Sequence, residues 1–379
     1  MKNFRLIILL LVIISCSERT PVPSIELLNP DRTKEIYLSE ILHNIQVVRL
    51  ETSENILLGE NTNYLVSERY IITIDNEKIL LFSNEGNFIK VLAIAGNGPE
   101  EFIRAEVFAI DGEKDILYIN HRGDRQHILV YDLKEGKCIN RIPTGVDNLI
   151  SRIIVMDDSV LTIVPRLNKE YNLYYITTSG RFLYGITPPV VKGIGLETSI
   201  QKVMNDLFYM PKEYDTLYSV NKTTKKPYCF FIVDDRFTFE NNETGNFVYL
   251  SLNAPTFMIA NKAHASIKMN PDGETYTMSG DKVTLYWIDK RDFSVKEIKG
   301  FHNDYFGIDE EFDPFKNYIF INNNLAFVKY SSFNLKQLIK KSIESKTLNK
   351  EVMLRISALN DQINENDNPV LVIGKLKTD

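Results

Sequence analysis

Cysteine is scarce, with three residues in a chain of 379. That rules out a small disulfide-stapled scaffold, and the lack of any Cys-x-x-Cys pair rules out the common structural zinc sites. Histidine numbers five and tryptophan one. No His-Glu-x-x-His, Gly-x-Ser-x-Gly or P-loop occurs, so no complete catalytic signature is present. Ser219-Val-Asn-Lys222 has the Ser-x-x-Lys spacing of a β-lactamase, but the companion Lys-Thr-Gly and Ser-Asp-Asn are missing. No basic run is interleaved with aromatics, which removes nucleic acid as a partner. No apolar run reaches the ~20 residues a membrane-crossing helix needs.

What is present begins with Lys2 and Arg5, then the nine apolar residues Leu6–Ile14, then Ser15 and Cys16. This layout suits a signal peptide. Ile13-Ile14-Ser15-Cys16 looks like a lipobox, in which the cysteine is diacylated and becomes the new N-terminus. Such a cysteine carries a diacylglycerol and an amide-linked chain, and stable anchoring takes about two such signals. The expectation is a signal peptide over 1–15, lipidation of Cys16 and attachment to a membrane through that lipid. Ser17 after the cysteine points to the outer membrane, with periplasmic and surface orientations both open. Losing Lys2 and Arg5 takes the net charge from −6 to −8. Cys138 and Cys229 lie in separate strand-like segments and read as small buried hydrophobes rather than a disulfide.

From about residue 45 to 330 the chain is a series of short strands rich in Ile, Val, Tyr and Phe, bounded by turn residues. No helical pattern alternates with them, so a parallel α/β sheet is excluded. The segments also repeat. Ile79-Leu-Leu-Phe82 followed by Glu85-Gly86-Asn-Phe88-Ile89 recurs as Ile128-Leu-Val-Tyr131 and Glu135-Gly136-Lys-Cys138-Ile139. It recurs again as Leu173-Tyr-Tyr-Ile176 and Ser179-Gly180-Arg-Phe182-Leu183. These copies lie about 45 to 50 residues apart, near the ~40–50 of a propeller blade.

Toward the C-terminus, Asn334–Ser345 and Glu351–Ile363 place apolar residues on one helical face, with Asn334 as a candidate N-cap. They read as helices inserted in the last blade. Asn368-Pro369 then breaks the helix, and Val370–Leu376 reads as a strand. That strand is expected to close the ring by pairing with Ile45–Leu50, because an open sheet edge invites aggregation.

Gly96-Asn-Gly98-Pro99-Glu-Glu101-Phe102, with Ile116–Asn120, Arg125, Ile128–Asp132 and Gly136 after it, resembles the repeat of NHL-type propellers. Val48-Arg-Leu50-Glu51-Thr52, Asp215-Thr216-Leu217-Tyr218 and Asn368-Pro369-Val370-Leu371 extend the likeness. The chain as a whole resembles the six-bladed β-propeller lipoproteins abundant in certain gut anaerobes. The resemblance implies an all-β fold of six four-stranded antiparallel blades over residues 35–379, with residues 16–34 as a tether. For activity it implies little, since one fold hosts many functions. Glu100 stands where the repeat usually has glycine, and Asn120 where it often has aspartate.

One cluster carries candidate chemistry: His121-Arg122-Gly123-Asp124-Arg125-Gln126-His127. In a propeller such loops share a face with the inter-blade turns. Glu100, Glu101 and Arg104 are therefore expected beside His121, Arg122 and Arg125, at the mouth of the central channel. Solvated intra-blade ion pairs are the plainer reading of the same residues, being common and weak. Two histidines and an aspartate are too few for a metal site without ligands from distant blades. No cofactor is expected. The function read from these features is an exported, monomeric binding or scaffold domain for a peptide, glycan or protein partner. The alternative is a metal-assisted lyase or hydrolase, similar to the NHL-type lyases that amidate peptides and hold a central metal with histidines; here His43 is expected outside the ring. Trp287 reads as packing. Asp304, Asp309-Glu310-Glu311 and Asp313 read as a solvated acidic face without the spacing of a calcium loop.

Overall fold

The computed structural model describes residues 21–378, apart from 29, 31, 60, 99, 146–148, 158, 166–169, 188–198, 212–214, 222–223, 237–243, 270–275, 311–319, 323–324 and 346–347. The signal peptide, Cys16, Lys222, Glu311 and Asp313 lie outside the described residues.

Six sheets, each built on a four-stranded blade, form a β-propeller, and the sheets of blades four and five carry additional strands. Blade one comprises Asn63–Val66, Tyr70–Ile74, Lys78–Ser83 and Phe88–Ile94; blade two comprises Ala105–Asp111, Ile116–His121, Asp124–Asp132 and Lys137–Pro143. Blades three, four and five begin at Ile150, Ser199 and Thr244. Blade six takes Phe320–Asn322, Leu325–Tyr330 and Val370–Leu376 from the C-terminal end and Leu42–Arg49 from the N-terminal end. Its register runs from Val370 opposite Arg49 to Leu376 opposite Leu42, so the expected closure by the terminal strand is present. His43, expected outside the ring, instead sits on that outermost strand, opposite Lys375, and so belongs to blade six.

A middle strand packs against neighbours on both faces, so its apolar residues run continuously instead of alternating. Ile79, Leu80, Leu81 and Phe82 are each no more than 1% exposed. The resulting cores are six clusters, one per blade–blade interface. The repeated glycines have a shared cause. Gly86, Gly136 and Gly180 adopt φ of 92°, 73° and 85°, left-handed values that suit glycine. Each also abuts the outer strand of the preceding blade: a Cβ on Gly86 would lie 2.1 Å from the Arg49 carbonyl oxygen, and on Gly180 2.5 Å from Pro143.

Both expected helices occur, at Ser332–Ser345 and Lys350–Gln362, between the second and third strands of blade six. Asn349 caps the second, accepting the Val352 N–H at 2.9 Å. The first is capped by Ser331 and not Asn334: the Ser331 hydroxyl accepts the Asn334 N–H at 3.2 Å, which places Asn334 inside the first turn. Trp287 packs flat on Phe257 with ring centroids 3.9 Å apart. Cys138 and Cys229 are free thiols. Asp304 is tied down, accepting the Ser39 N–H at 3.0 Å and the Ser39 hydroxyl.

The described part of 16–34, read from sequence as a tether, lies on the ring. Ser24–Glu26 pairs in parallel with the outer strand of blade four, and Thr33–Tyr37 does the same on blade five. The N-terminal segment is thus a strap that follows the rim from blade four to blade five and then becomes the outer strand of blade six. Ile25 and Leu27 are buried by it, at 1% and 0% exposure.

Candidate functional site

The inner strand of blade two begins at Ala105, and its second and third strands meet at His121–Asp124. The turn entering the blade is bound to that loop through backbone groups. Arg122 N–H donates to the carbonyls of Ile103 at 2.9 Å and Arg104 at 3.1 Å. Ile103 N–H donates to His121 Nδ1 at 3.0 Å. His121 therefore carries its proton on Nε2, which is buried and has no hydrogen-bond partner among the described residues. Burial is the main cause that pushes the imidazole pKa down, so His121 is neutral.

Asn120, almost wholly buried at 1% exposure, holds the loop from below. Its amide donates to the carbonyls of Arg125 at 3.1 Å and His127 at 2.8 Å. An aspartate, frequent at this point of the resembled repeat, has no hydrogens for those two acceptors. The asparagine is a requirement of the loop.

Three of the expected residues are thus joined at the start of the blade: Arg104, His121 and Arg122. Arg125 joins them through Glu106, with Nε and Nη2 each 3.3 Å from a carboxylate oxygen. Glu106, the second residue of the inner strand, was not singled out from sequence. Asp124 takes His127 Nδ1 at 2.9 Å and also pairs with Arg141. Burial opposes its charge, but the bonds and charges of His127 and Arg141 outweigh burial and hold the carboxyl below its usual range.

The other two expected residues sit elsewhere. The Glu101 carboxylate turns back into its own loop and accepts the Gly98 N–H at 2.8 Å. The Glu100 carbonyl accepts the Tyr131 hydroxyl at 2.6 Å. Burial first, then the charges of Cys138, Glu100 and Glu101, push the Tyr131 pKa upward. Glu100 and Glu101 are therefore beside the outer half of blade two.

Two exposed arginines remain at the start of blade two. The side chains of Arg104 and Arg122 make no ion pair among the described residues, and Arg104 is held at φ 48°, a left-handed backbone unusual for a side-chain-bearing residue. Arg152, on the inner strand of blade three, instead reaches blade four, donating to the Ile200 carbonyl at 3.2 Å. Among the described residues no three of His, Cys, Asp and Glu come together to hold a metal ion.

No curated protein matches the chain. Among solved structures, it is similar to a protein of Bacteroides fragilis whose name proposes that it is exported, with TM-score 0.63 at 12% identity, covering 94% of this chain and 100% of that one. Hsv2 of Kluyveromyces lactis matches 60% of this chain and 75% of its own at 11% identity and TM-score 0.36. At such identities the first likeness is one of fold. The family described as a domain of unknown function (DUF4934) matches residues 22–375, and the chain belongs to that family.

Proposed function

We propose that the chain is an exported lipoprotein, lipidated at Cys16 and held at the outer membrane, whose propeller binds a carboxylate-bearing ligand at the mouth of its channel. The ligand is an acidic glycan or the acidic segment of a peptide or protein partner. One observation carries this reading: Arg104 and Arg122 project, exposed, from adjoining backbone at the start of blade two. Arginines place paired donors where carboxylate oxygens are recognised, and they do so here on a chain of net charge −6. Backbone strain of the kind seen at Arg104 concentrates at ligand-binding sites.

A metal-assisted lyase has less to support it. His121 is committed to Ile103, His127 to Asp124, and His302 to Glu35 at 2.8 Å. His264 meets Asn246 at 3.2 Å on blade five. Among the described residues none of these belongs to a group of three or more His, Cys, Asp or Glu side chains that could hold a metal ion.

The test is calorimetric titration of the purified chain with acidic oligosaccharides and acidic peptides, beside a variant carrying Arg104→Ala and Arg122→Ala. Binding is expected to weaken with salt and to vanish in the variant without a change in melting temperature. If no carboxylate ligand binds, or the variant binds equally, the reading fails. Protease treatment of intact cells reports the orientation, since only a surface-exposed chain is degraded promptly.

A further inference from the structure

The strap fixes where the chain leaves the ring. Pro23 O accepts the Phe230 N–H at 2.9 Å, and Ser24, Ile25 and Glu26 pair with Phe230, Phe231 and Ile232. Cys16 precedes Pro23, the first residue bonded to that edge, by seven residues, which span at most about 25 Å when fully extended. If Cys16 carries lipid, that lipid can lie no farther than this from the rim of blade four.

The rim there is suited to a lipid surface. Along the paired edge, Ile25, Leu27 and Phe231 face inward and are buried, so alternation turns their neighbours outward. Phe230, Ile232 and Leu28 are 36%, 40% and 36% exposed. Lys226 on the same strand is exposed. Apolar side chains beside a lysine are the composition of a surface that sits at the headgroup boundary. Glu26 is also exposed on this edge and opposes contact with anionic headgroups.

We infer that the blade-four rim is the membrane-facing surface, with Phe230, Ile232 and Leu28 resting in the interfacial region of the bilayer that holds Cys16. The inference depends on the lipoprotein reading given above. Three half-exposed side chains bind a bilayer weakly alone, but a short tether raises their effective concentration at the surface. The ring then stands on its edge, and the mouth at blade two opens to the side.

A more apolar rim exists on the opposite side of the ring. On blade one, Ile89, Val91 and Ile94 are 44%, 45% and 63% exposed. If hydrophobicity alone chose the membrane face, blade one would win; if the tether chooses, blade four does. The two outcomes can be separated by one measurement.

The lipidated full-length chain, with Cys138→Ser, is reconstituted in vesicles of phosphatidylethanolamine and phosphatidylglycerol containing doxyl-labelled lipid. An environment-sensitive fluorophore is attached through Ile232→Cys, through Leu28→Cys should the first fail to fold, or through Val91→Cys. Quenching at position 232 or 28 is expected to exceed that at 91 severalfold. Equal quenching, or greater quenching at 91, overturns the orientation. Mass spectrometry against a Cys16→Ser chain tests the lipid separately: an unmodified Cys16 overturns both the lipoprotein reading and the orientation, whereas a lipidated chain without quenching at 232 or 28 overturns the orientation alone.

Discussion

The side-chain oxygen of Asn368 accepts the Leu58 N–H at 2.9 Å, tying the start of the last strand to the segment that leads into blade one. The same residue donates from its amide to the carbonyls of Glu51, at 2.7 Å, and Ile56. Its backbone N–H donates to the Thr52 hydroxyl at 2.8 Å, and its carbonyl accepts the Ser332 hydroxyl at 2.6 Å. With 3% exposure, Asn368 satisfies both ends of the chain where the ring closes.

Asn368→Asp should therefore destabilise the fold more than its size suggests. The two amide donors disappear, and a carboxyl oxygen faces two carbonyls. An unsatisfied buried group costs about 1–3 kcal/mol, and more when charged. Urea denaturation at neutral pH should show a loss of that order; an unchanged midpoint refutes the role given to Asn368.

Much of this closure could be read from Asn368-Pro369 and the apolar strand after it, because proline and a terminal strand leave few alternatives. The glycine turns were equally legible, since Gly86, Gly136 and Gly180 recur at the same point of each repeat. The strap was not. Pro21, Pro23 and Pro30 mark its segment as irregular, and the alternation Ser24-Ile25-Glu26-Leu27 is too short to stand out as a strand. The channel mouth was half legible. Neighbouring loops could be inferred from blade topology, but nothing in the sequence showed that Glu101 folds back on Gly98 or that the Glu100 carbonyl engages Tyr131.

Removing residues 21–30 looks harmless for a tether, and the strap reverses that expectation. Ile25 and Leu27 are buried in the cluster between blades four and five. Leu27→Ala should cost roughly 2–5 kcal/mol, as for other fully buried leucines, and Glu26→Ala little. Thermal melting of the two variants checks the contrast; equal melting temperatures would mean that the strap is not part of the folded ring.

Asn120→Asp moves the chain toward the resembled repeat and should nevertheless weaken it. The carboxylate would face the Arg125 and His127 carbonyls in a site with 1% exposure. Its folded pKa would rise, so the folded state would bind a proton that the unfolded chain releases. The penalty is then largest at neutral pH and shrinks as pH falls toward the carboxylate range. Chemical denaturation at two pH values measures this; a penalty that grows on acidification is the contrary result.

His121 gives the opposite pH dependence. Burial lowers its folded pKa, while the unfolded chain takes up a proton near the usual value of about 6.5. Below that value the unfolded state binds more protons, so stability falls as pH drops and is fully present above it. Each unit of depression is worth about 1.4 kcal/mol once pH lies below both values. Asn at this position keeps an acceptor for the Ile103 N–H, which His121 now receives at 3.0 Å, and cannot titrate. The His121→Asn chain should therefore lose less stability than the parent between neutral pH and the acid side of the histidine range. Urea midpoints across that range decide the matter, and parallel curves would show that His121 is protonated as readily in the folded ring as in the unfolded chain.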